Sequence, residues 1–213
     1  MIKAIFFDLQ GVVSNESHII KNYFYPAYSE CYTYDQINKM YHKANIGELS
    51  FEEMVKGVPT EKQFSYVNKI CFHKGAKEML EELSDKYPLY LASDHVPKAF
   101  EKEVQVLGIE KYFKGMFVSY KLKSKKPHKD FFEKVLEAAN QKASESVFVD
   151  DAKTNLETAK KLGFTTIWVN NHDDNPRNKI FYKPDYEIDD LIELVDLIKK
   201  INKKKIILSK PLV

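Results

Sequence analysis

Five short apolar segments, each ending in polar residues and separated by helix-like stretches, set the main limit on what this chain can fold into. They are KAIFFDL (3–9), YPLYLAS (87–93), GMFVSY (115–120), SVFVDD (146–151) and TTIWVNN (165–171). None alternates strictly between apolar and polar residues, so each predicts a strand buried on both faces, as in a parallel sheet covered by helices. The intervening stretches 75–87, 97–108, 129–140 and 154–163 predict helices. Met79, Leu80 and Leu83 share one side of the first, and Phe100, Val104 and Leu107 recur at spacings of four and three in the second. Gly163 closes the fourth as a C-cap. IDDLIELVDLIKKI (188–201) predicts a last amphipathic helix. Strand and helix alternating from 75 to 201 predict a doubly wound α/β sheet.

Residues 15–75 break that rhythm. After the first strand come only helix-compatible pieces, HIIKNYFYPAYSECY, YDQINKMYHKA, LSFEEMVKG and TEKQFSYVNKICF. The segment is too long for an ordinary connection in an α/β unit. It predicts a helical subdomain over 15–75, inserted into a core built from 1–14 and 76–213. Its tyrosines and phenylalanines either line a pocket or build a small core of their own. The tail KKKIILSKPLV (203–213) reads as an edge strand, a packed arm or a frayed end.

Composition narrows the function classes. With 213 residues, 44% hydrophobic and 30% charged, the chain is globular rather than disordered. Its net charge is +2 and Arg177 is its sole arginine, which argues against a reader of nucleic acid, since bidentate recognition of phosphate and guanine favours arginine. No run reaches the roughly 20 apolar residues that span a bilayer. The N-terminus lacks a signal peptide's pattern, so a cytoplasmic location and no membrane partner are expected. Cys31 and Cys71, outside any CxxC arrangement, are expected to be buried free thiols.

The polar residues at the strand ends suggest one chemistry. In an open α/β sheet the carboxyl ends of the strands converge on a ligand crevice. Here they carry Asp8 with Gln10, Ser93 with Asp94, Lys126, and Asp150 with Asp151. Facing acids repel unless a cation lies between them, and an all-oxygen set suits Mg²⁺. Lys126 can neutralise a phosphoryl group as a point charge. Ser93 can donate to it, and a turn at Gly11 exposes backbone N–H groups. The phosphate-binding set is thus Leu9, Gln10, Gly11, Ser93, Asp94 and Lys126.

Order and spacing carry a family resemblance over residues 2 to about 200. FFDLQGVV resembles the first motif of the haloacid dehalogenase-like hydrolase superfamily, LYLASDH the second, KKPHKDFF the third, and VFVDDAKTNLETAKKLG the fourth. The insertion after the first motif resembles the helical-cap branch (subfamily IA), and ANIGELSFEEMVKG resembles the cap of its sugar-phosphatase-like members. The resemblance implies a Rossmann-like three-layer core with a helical cap, and phosphomonoester hydrolysis with Mg²⁺ as cofactor. Asp8 would be the nucleophile, forming a phosphoaspartate, and Ser93 and Lys126 would hold the phosphoryl oxygens. The metal would be held by Asp8, Asp151, the backbone carbonyl of Gln10, and Asp150 in or near its shell. Asn155 would orient Lys126 or a metal-bound water. The expected partner is a small phosphorylated metabolite such as a sugar phosphate, with the chain a monomer or a homodimer.

Gln10 departs from the pattern, because most phosphatase members carry there an Asp that protonates the leaving oxygen and activates water. Glutamine can donate a hydrogen bond but has no titrating proton near neutral pH. Weak or atypical turnover is therefore expected, with water, His95, His18 or a cap residue standing in for the acid. His95 otherwise reads as a surface residue at a helix start. The alternatives are a binder of phosphorylated ligands without turnover and, less favoured, a dehalogenase. The acid pair looks built for a metal, and the cap has no arginine to grip a carboxylate.

Overall fold

The structure, a computed structural model, describes residues 1–16, 18–172 and 175–208. Among them, strands β1 (Ala4–Phe7), β2 (Leu89–Ser93), β3 (Gly115–Val118), β4 (Ser146–Asp150), β5 (Thr165–Val169) and β6 (Tyr186–Ile188) form one sheet in the order β3-β2-β1-β4-β5-β6. Every pairing is parallel. The register sets Ile5 beside Leu89 and Val147, and Phe7 beside Leu91 and Val149. The chain winds outward from β1 on one side and from β4 on the other, so the crevice between these strands is the topological switch point where ligands bind.

The insertion after β1 carries four helices: α1 (Tyr25–Tyr28), continuing a π-helical turn at Ile20–Phe24, then α2 (Tyr34–Asn45), α3 (Phe51–Met54) and α4 (Thr60–Gln63). The helices of the core follow: α5 (Ala76–Ser84), α6 (Ala99–Leu107), the single turn α7 (Ser119–Leu122), α8 (Lys129–Ala139), α9 (Lys153–Lys161) and α10 (Glu193–Leu208). Both faces of the central strands are covered, which is why their sequences do not alternate. Ile5, Phe7, Val147 and Val149 belong to a core that includes Met79 and Leu80 of α5, Phe100 of α6 and Leu194 and Ile198 of α10. Ala4, Phe6 and Phe148 face the other way, against Phe131, Phe132 and Val135 of α8 and Leu156 of α9. Phe6 stacks on Tyr90 with centroids 4.9 Å apart, and Phe132 meets Phe148 edge-on at 5.1 Å.

The helical insertion forms a cap on this Rossmann-like core. Thr33 with Gln36 and Ser50 with Glu53 make reciprocal capping boxes that fix the starts of α2 and α3. The cap aromatics serve both expected roles. Phe24, Tyr28, Tyr41 and Tyr66 pack on one another, and Phe51 stacks on Phe64 at 4.9 Å. Tyr34 and Tyr41 also face the cleft. The two crossings between core and cap run side by side: Asn15 N donates to Cys71 O and His73 N to Val13 O, each at 3.0 Å, with Ser14 bridging Phe72.

Three expectations need correction. The last helix begins at Glu193 rather than 188, because Tyr186–Ile188 joins the sheet as β6 and the backbone N–H groups of Asp189 and Asp190 donate to Glu193 Oε1. Of the tail, residues 203–208 continue α10, while 209–213 lie outside the described residues. Cys31 and Cys71 are free but exposed, since one lies just past α1 and the other in a core–cap crossing. Among the described residues no helix is long and apolar enough to cross a membrane.

Candidate active site

The switch point gathers the strand-end residues. Asp8 follows β1, its backbone N–H bound to Val149 O of β4 at 3.0 Å. Lys126 arrives on the loop before α8 and places Nζ 2.8 Å from Asp8 Oδ2 and 2.9 Å from Asp150 Oδ2. Burial opposes the ammonium charge, but Asp150 and Asp8 outweigh it and hold the Lys126 pKa above the ordinary lysine range. A charge this deep is stable only when paired on all sides. Asp94 lines the cleft and secures the loop, its Oδ1 accepting from Lys126 N at 3.0 Å.

Asp8, Asp150 and Asp151 bring carboxylate oxygens within 4.8 Å of one another. Their environments differ. Asp150 accepts from Lys126 Nζ, from Ala152 N at 2.8 Å and from Asn155 Nδ2 at 3.0 Å to each oxygen. Asn155, expected to orient Lys126 or a bound water, instead grips Asp150, because the first turn of α9 lays it beneath that carboxylate. Asp151 keeps Oδ1 buried without a hydrogen-bond partner, while its carbonyl accepts from Trp168 Nε1 at 2.9 Å. Burial pushes the Asp151 carboxyl up to about 8, with Arg177 pulling it down and Asp150 and Asp8 adding to the rise. An unpartnered buried oxygen in a group strained by its own kind, ringed by hard oxygen donors, fits a divalent cation of the Mg²⁺ type. Asp8 and Asp151 offer the freest oxygens for it.

The loop after β1 shapes the floor. Gly11 has φ +75°, and a Cβ there would lie 2.7 Å from Asp151 Oδ2. Gly11→Ala is therefore expected to cost about 1–2 kcal/mol of backbone strain and to displace Asp151. Calorimetry should show weakened Mg²⁺ binding; unchanged binding would count against Asp151 as a ligand. The expected cradle of backbone donors is narrower than the sequence suggested. Leu9 N donates to Asp8 Oδ1 at 2.7 Å and Gly11 N to Ser14 O at 3.0 Å, because residues 9–14 close into a tight turn. The N–H of Gln10 remains without a partner among the described residues. Ser93 Oγ is likewise buried and unpartnered, as a donor awaiting an anion would be.

Behind Gln10 runs a buried polar chain. His95 is fully buried, not a surface residue at a helix start, because its Nε2 lies 2.7 Å from Glu103 Oε2 and 3.0 Å from Gln10 Nε2. Ser14 Oγ donates to the other Glu103 oxygen at 2.8 Å. His95 thus backs Gln10 and does not line the cleft, whereas His18 does. Glu103, Ser14 and the neighbouring Glu16 escaped motif reading. Glu103 alone left a trace, an acid three residues after Phe100 and four before Leu107, on the buried face of α6.

Glu16 is buried beside Glu103, and among the described residues no basic group or N–H donor meets either of its carboxylate oxygens. Burial, reinforced by Glu103, pushes its carboxyl from 4.5 up to about 9. Between those values the folded state keeps a proton that the unfolded chain has lost, so stability falls as pH rises through that window. At neutral pH the loss is up to about 3 kcal/mol, from about 1.4 kcal/mol per pH unit. Glu16→Gln is expected to recover that amount and to flatten the pH dependence of urea unfolding. Equal slopes in both proteins between about pH 5 and pH 8 would contradict a raised Glu16.

Comparison with known proteins supplies the family. The family described as "Haloacid dehalogenase-like hydrolase" matches residues 5–169, from β1 through β5. The chain belongs to this family. It is 27% identical over 129 residues to the pyrimidine 5'-nucleotidase PynA of Streptococcus pneumoniae, covering 59% of this chain and 54% of that protein. It is 34% identical over 107 residues to a glyceraldehyde 3-phosphate phosphatase of Methanocaldococcus jannaschii, covering 50% of this chain and 46% of that protein. The chain thus spans about half the length of these curated relatives. A haloacid dehalogenase family enzyme of Bacteroides thetaiotaomicron, solved with magnesium and inorganic phosphate, shares the fold at a TM-score of 0.67 and 22% identity, over 84% of this chain and 100% of that one. Within the haloacid dehalogenase-like family the capped parallel sheet is therefore the shared scaffold.

Proposed function

We propose that this haloacid dehalogenase-like protein is a Mg²⁺-dependent phosphomonoester hydrolase of small phosphorylated metabolites that works through Asp8 and turns over slowly because of Gln10. The observation that carries the reading is the convergence of Asp8, Asp150 and Asp151 on one point beside buried Lys126. The names of the relatives, a nucleotidase and a sugar-phosphate phosphatase, support the same class.

The residues perform complementary tasks. An Asp8 oxygen attacks phosphorus, and an Asp8–O–P bond forms as the ester P–O bond breaks. Lys126 and Ser93 hold the phosphoryl oxygens, and Gln10 N–H adds a backbone donor. The departing alkoxide takes its proton from water, because the Gln10 amide has none to give. Water then adds to phosphorus, the Asp8–O–P bond breaks, and inorganic phosphate leaves with the Asp8 carboxylate restored. Asp8, Asp151 and the Gln10 carbonyl would hold Mg²⁺, with Asp150 in or near the shell, and the bound cation would offset the repulsion between an anionic nucleophile and an anionic substrate. Asn155 acts through Asp150, and His95 acts through Gln10.

A second reading, a binder of phosphorylated ligands that has lost turnover, draws on one observation: Gln10 is tied to His95 and carries no proton to transfer. A dehalogenase is disfavoured because the acid cluster at Asp8 suits a cation. Phosphate release from an aryl phosphate and a panel of sugar phosphates, with Mg²⁺ and with a chelator, tests the proposal. Chelator-sensitive release is expected. No release from any substrate, with no Mg²⁺ binding by calorimetry, would overturn it, and Mg²⁺-dependent binding without release would favour the binder.

A further inference from the structure

The cleft over Asp8 has a volume of about 450 Å³ and is walled by both cap and core. Its floor holds its only acids among the described residues, Asp8 and Asp94, together with Gln10 and Lys126. The rest of the lining, from residues 18–21, α2 and the loops at 125–128 and 175–177, contributes no carboxylate. It supplies Lys21, Lys125 and Arg177, with His18, His42 and His128 among them. The chain as a whole balances 33 basic against 31 acidic residues, so this segregation is a local arrangement and not a reflection of composition.

Among the described residues two of these cations have no countercharge. Elsewhere on the cap Lys62 pairs with Glu30 at 2.6 Å, but among the described residues neither Lys21 nor Lys125 meets a carboxylate. Lys125 Nζ points instead at His42 Nδ1 of α2, 3.4 Å away, which ties the core loop to the cap. Burial and the Lys125 charge both push the His42 pKa down, so the imidazole accepts without adding charge. Arg177 is held by Asn175, whose Oδ1 accepts from its backbone N at 3.0 Å and its Nε at 3.3 Å. Cations along the mouth of a cleft draw anions toward it.

The phosphoryl group of a substrate is already matched at the floor by Lys126, Ser93 and the cation site, so the charges at the mouth are in excess of what one phosphate requires. We propose that the cleft selects phosphomonoesters carrying a second anionic group, a carboxylate or a further phosphate, which Lys21 of the cap and Lys125 of the facing core loop receive. The inference rests on the phosphatase reading and adds to it the class of substrate.

Matched pairs test it. Glycerol 3-phosphate and 3-phosphoglycerate differ by a carboxylate, and fructose 6-phosphate and fructose 1,6-bisphosphate by a phosphate, so the two arms separate the sources of the second charge. The doubly anionic member of at least one pair is expected to have a kcat/KM about tenfold higher at low ionic strength, mainly through KM, with the advantage shrinking as salt is added. In the Lys21→Gln, Lys125→Gln double variant the ratio within that pair should fall toward one. Equal values within both pairs, or a variant that slows both members by the same factor, would overturn the proposal. Calorimetry of the same four compounds on the Mg²⁺-loaded protein separates this inference from the reading beneath it. Preferential binding of the doubly anionic compounds without phosphate release would sustain the charge selection and refute the hydrolase, whereas equal or absent binding would refute the selection.

Discussion

Asp8→Asn is expected to abolish phosphate release, a fall in kcat of about 10⁴- to 10⁶-fold, the scale of loss when a covalent nucleophile is removed. The amide is nearly isosteric with the carboxylate but lacks the anionic oxygen that attacks phosphorus. The fold should survive, because Lys126 keeps its 2.9 Å contact with Asp150 and is not left as an unpaired buried charge. Retained secondary structure by circular dichroism, together with lost activity, is the expected pair of results. A variant that still released phosphate at the original rate would move the nucleophile elsewhere.

Gln10→Asp should act in the opposite direction. Restoring an acid–base group is expected to raise kcat by about 10²- to 10⁴-fold, or roughly 3–5 kcal/mol of barrier. The gain should be larger for sugar phosphates than for a nitrophenyl phosphate, whose leaving group needs little protonation. The new carboxylate would face the His95–Glu103 pair, whose contact is 2.7 Å, so a matched pKa depends on that buried partner. Acid-quenched wild-type protein should carry phosphate on Asp8 by mass, and the variant should carry less. Identical rates and identical occupancy in both proteins would show that position 10 does not limit the reaction.

The sheet was legible because its strands are covered on both faces. IFF of β1 and VFV of β4 cannot be read as surface, and each ends at an acid that the switch point then gathers. β6 was not legible, since it has three residues and Glu187 in its middle is exposed. Its addition displaced the last helix by five residues, to a start fixed by Glu193 accepting from Asp189 and Asp190. At the site, Asp8, Ser93, Lys126 and Asp151 were readable from their positions after strands. The burial of His95 against Gln10 and the pairing of Glu103 with Ser14 were not, because they join a strand end, a helix face and a core–cap crossing far apart in sequence. Cap residues at the mouth, such as Lys21, which brings charge, and His42, which meets Lys125, carry no motif and acquire meaning only when the cap is laid over the core.

The crossing at Ser14 has a mechanical consequence. Ser14 bridges Phe72 in the returning segment, holds Glu103 through its hydroxyl, and closes the turn that carries Gln10 by receiving Gly11 N–H and donating its own to Leu9 O at 2.8 Å. One residue thus belongs both to the core–cap crossing and to the turn that carries Gln10. A substitution at Ser14 would therefore disturb the crossing between core and cap and the turn beside Asp8 together.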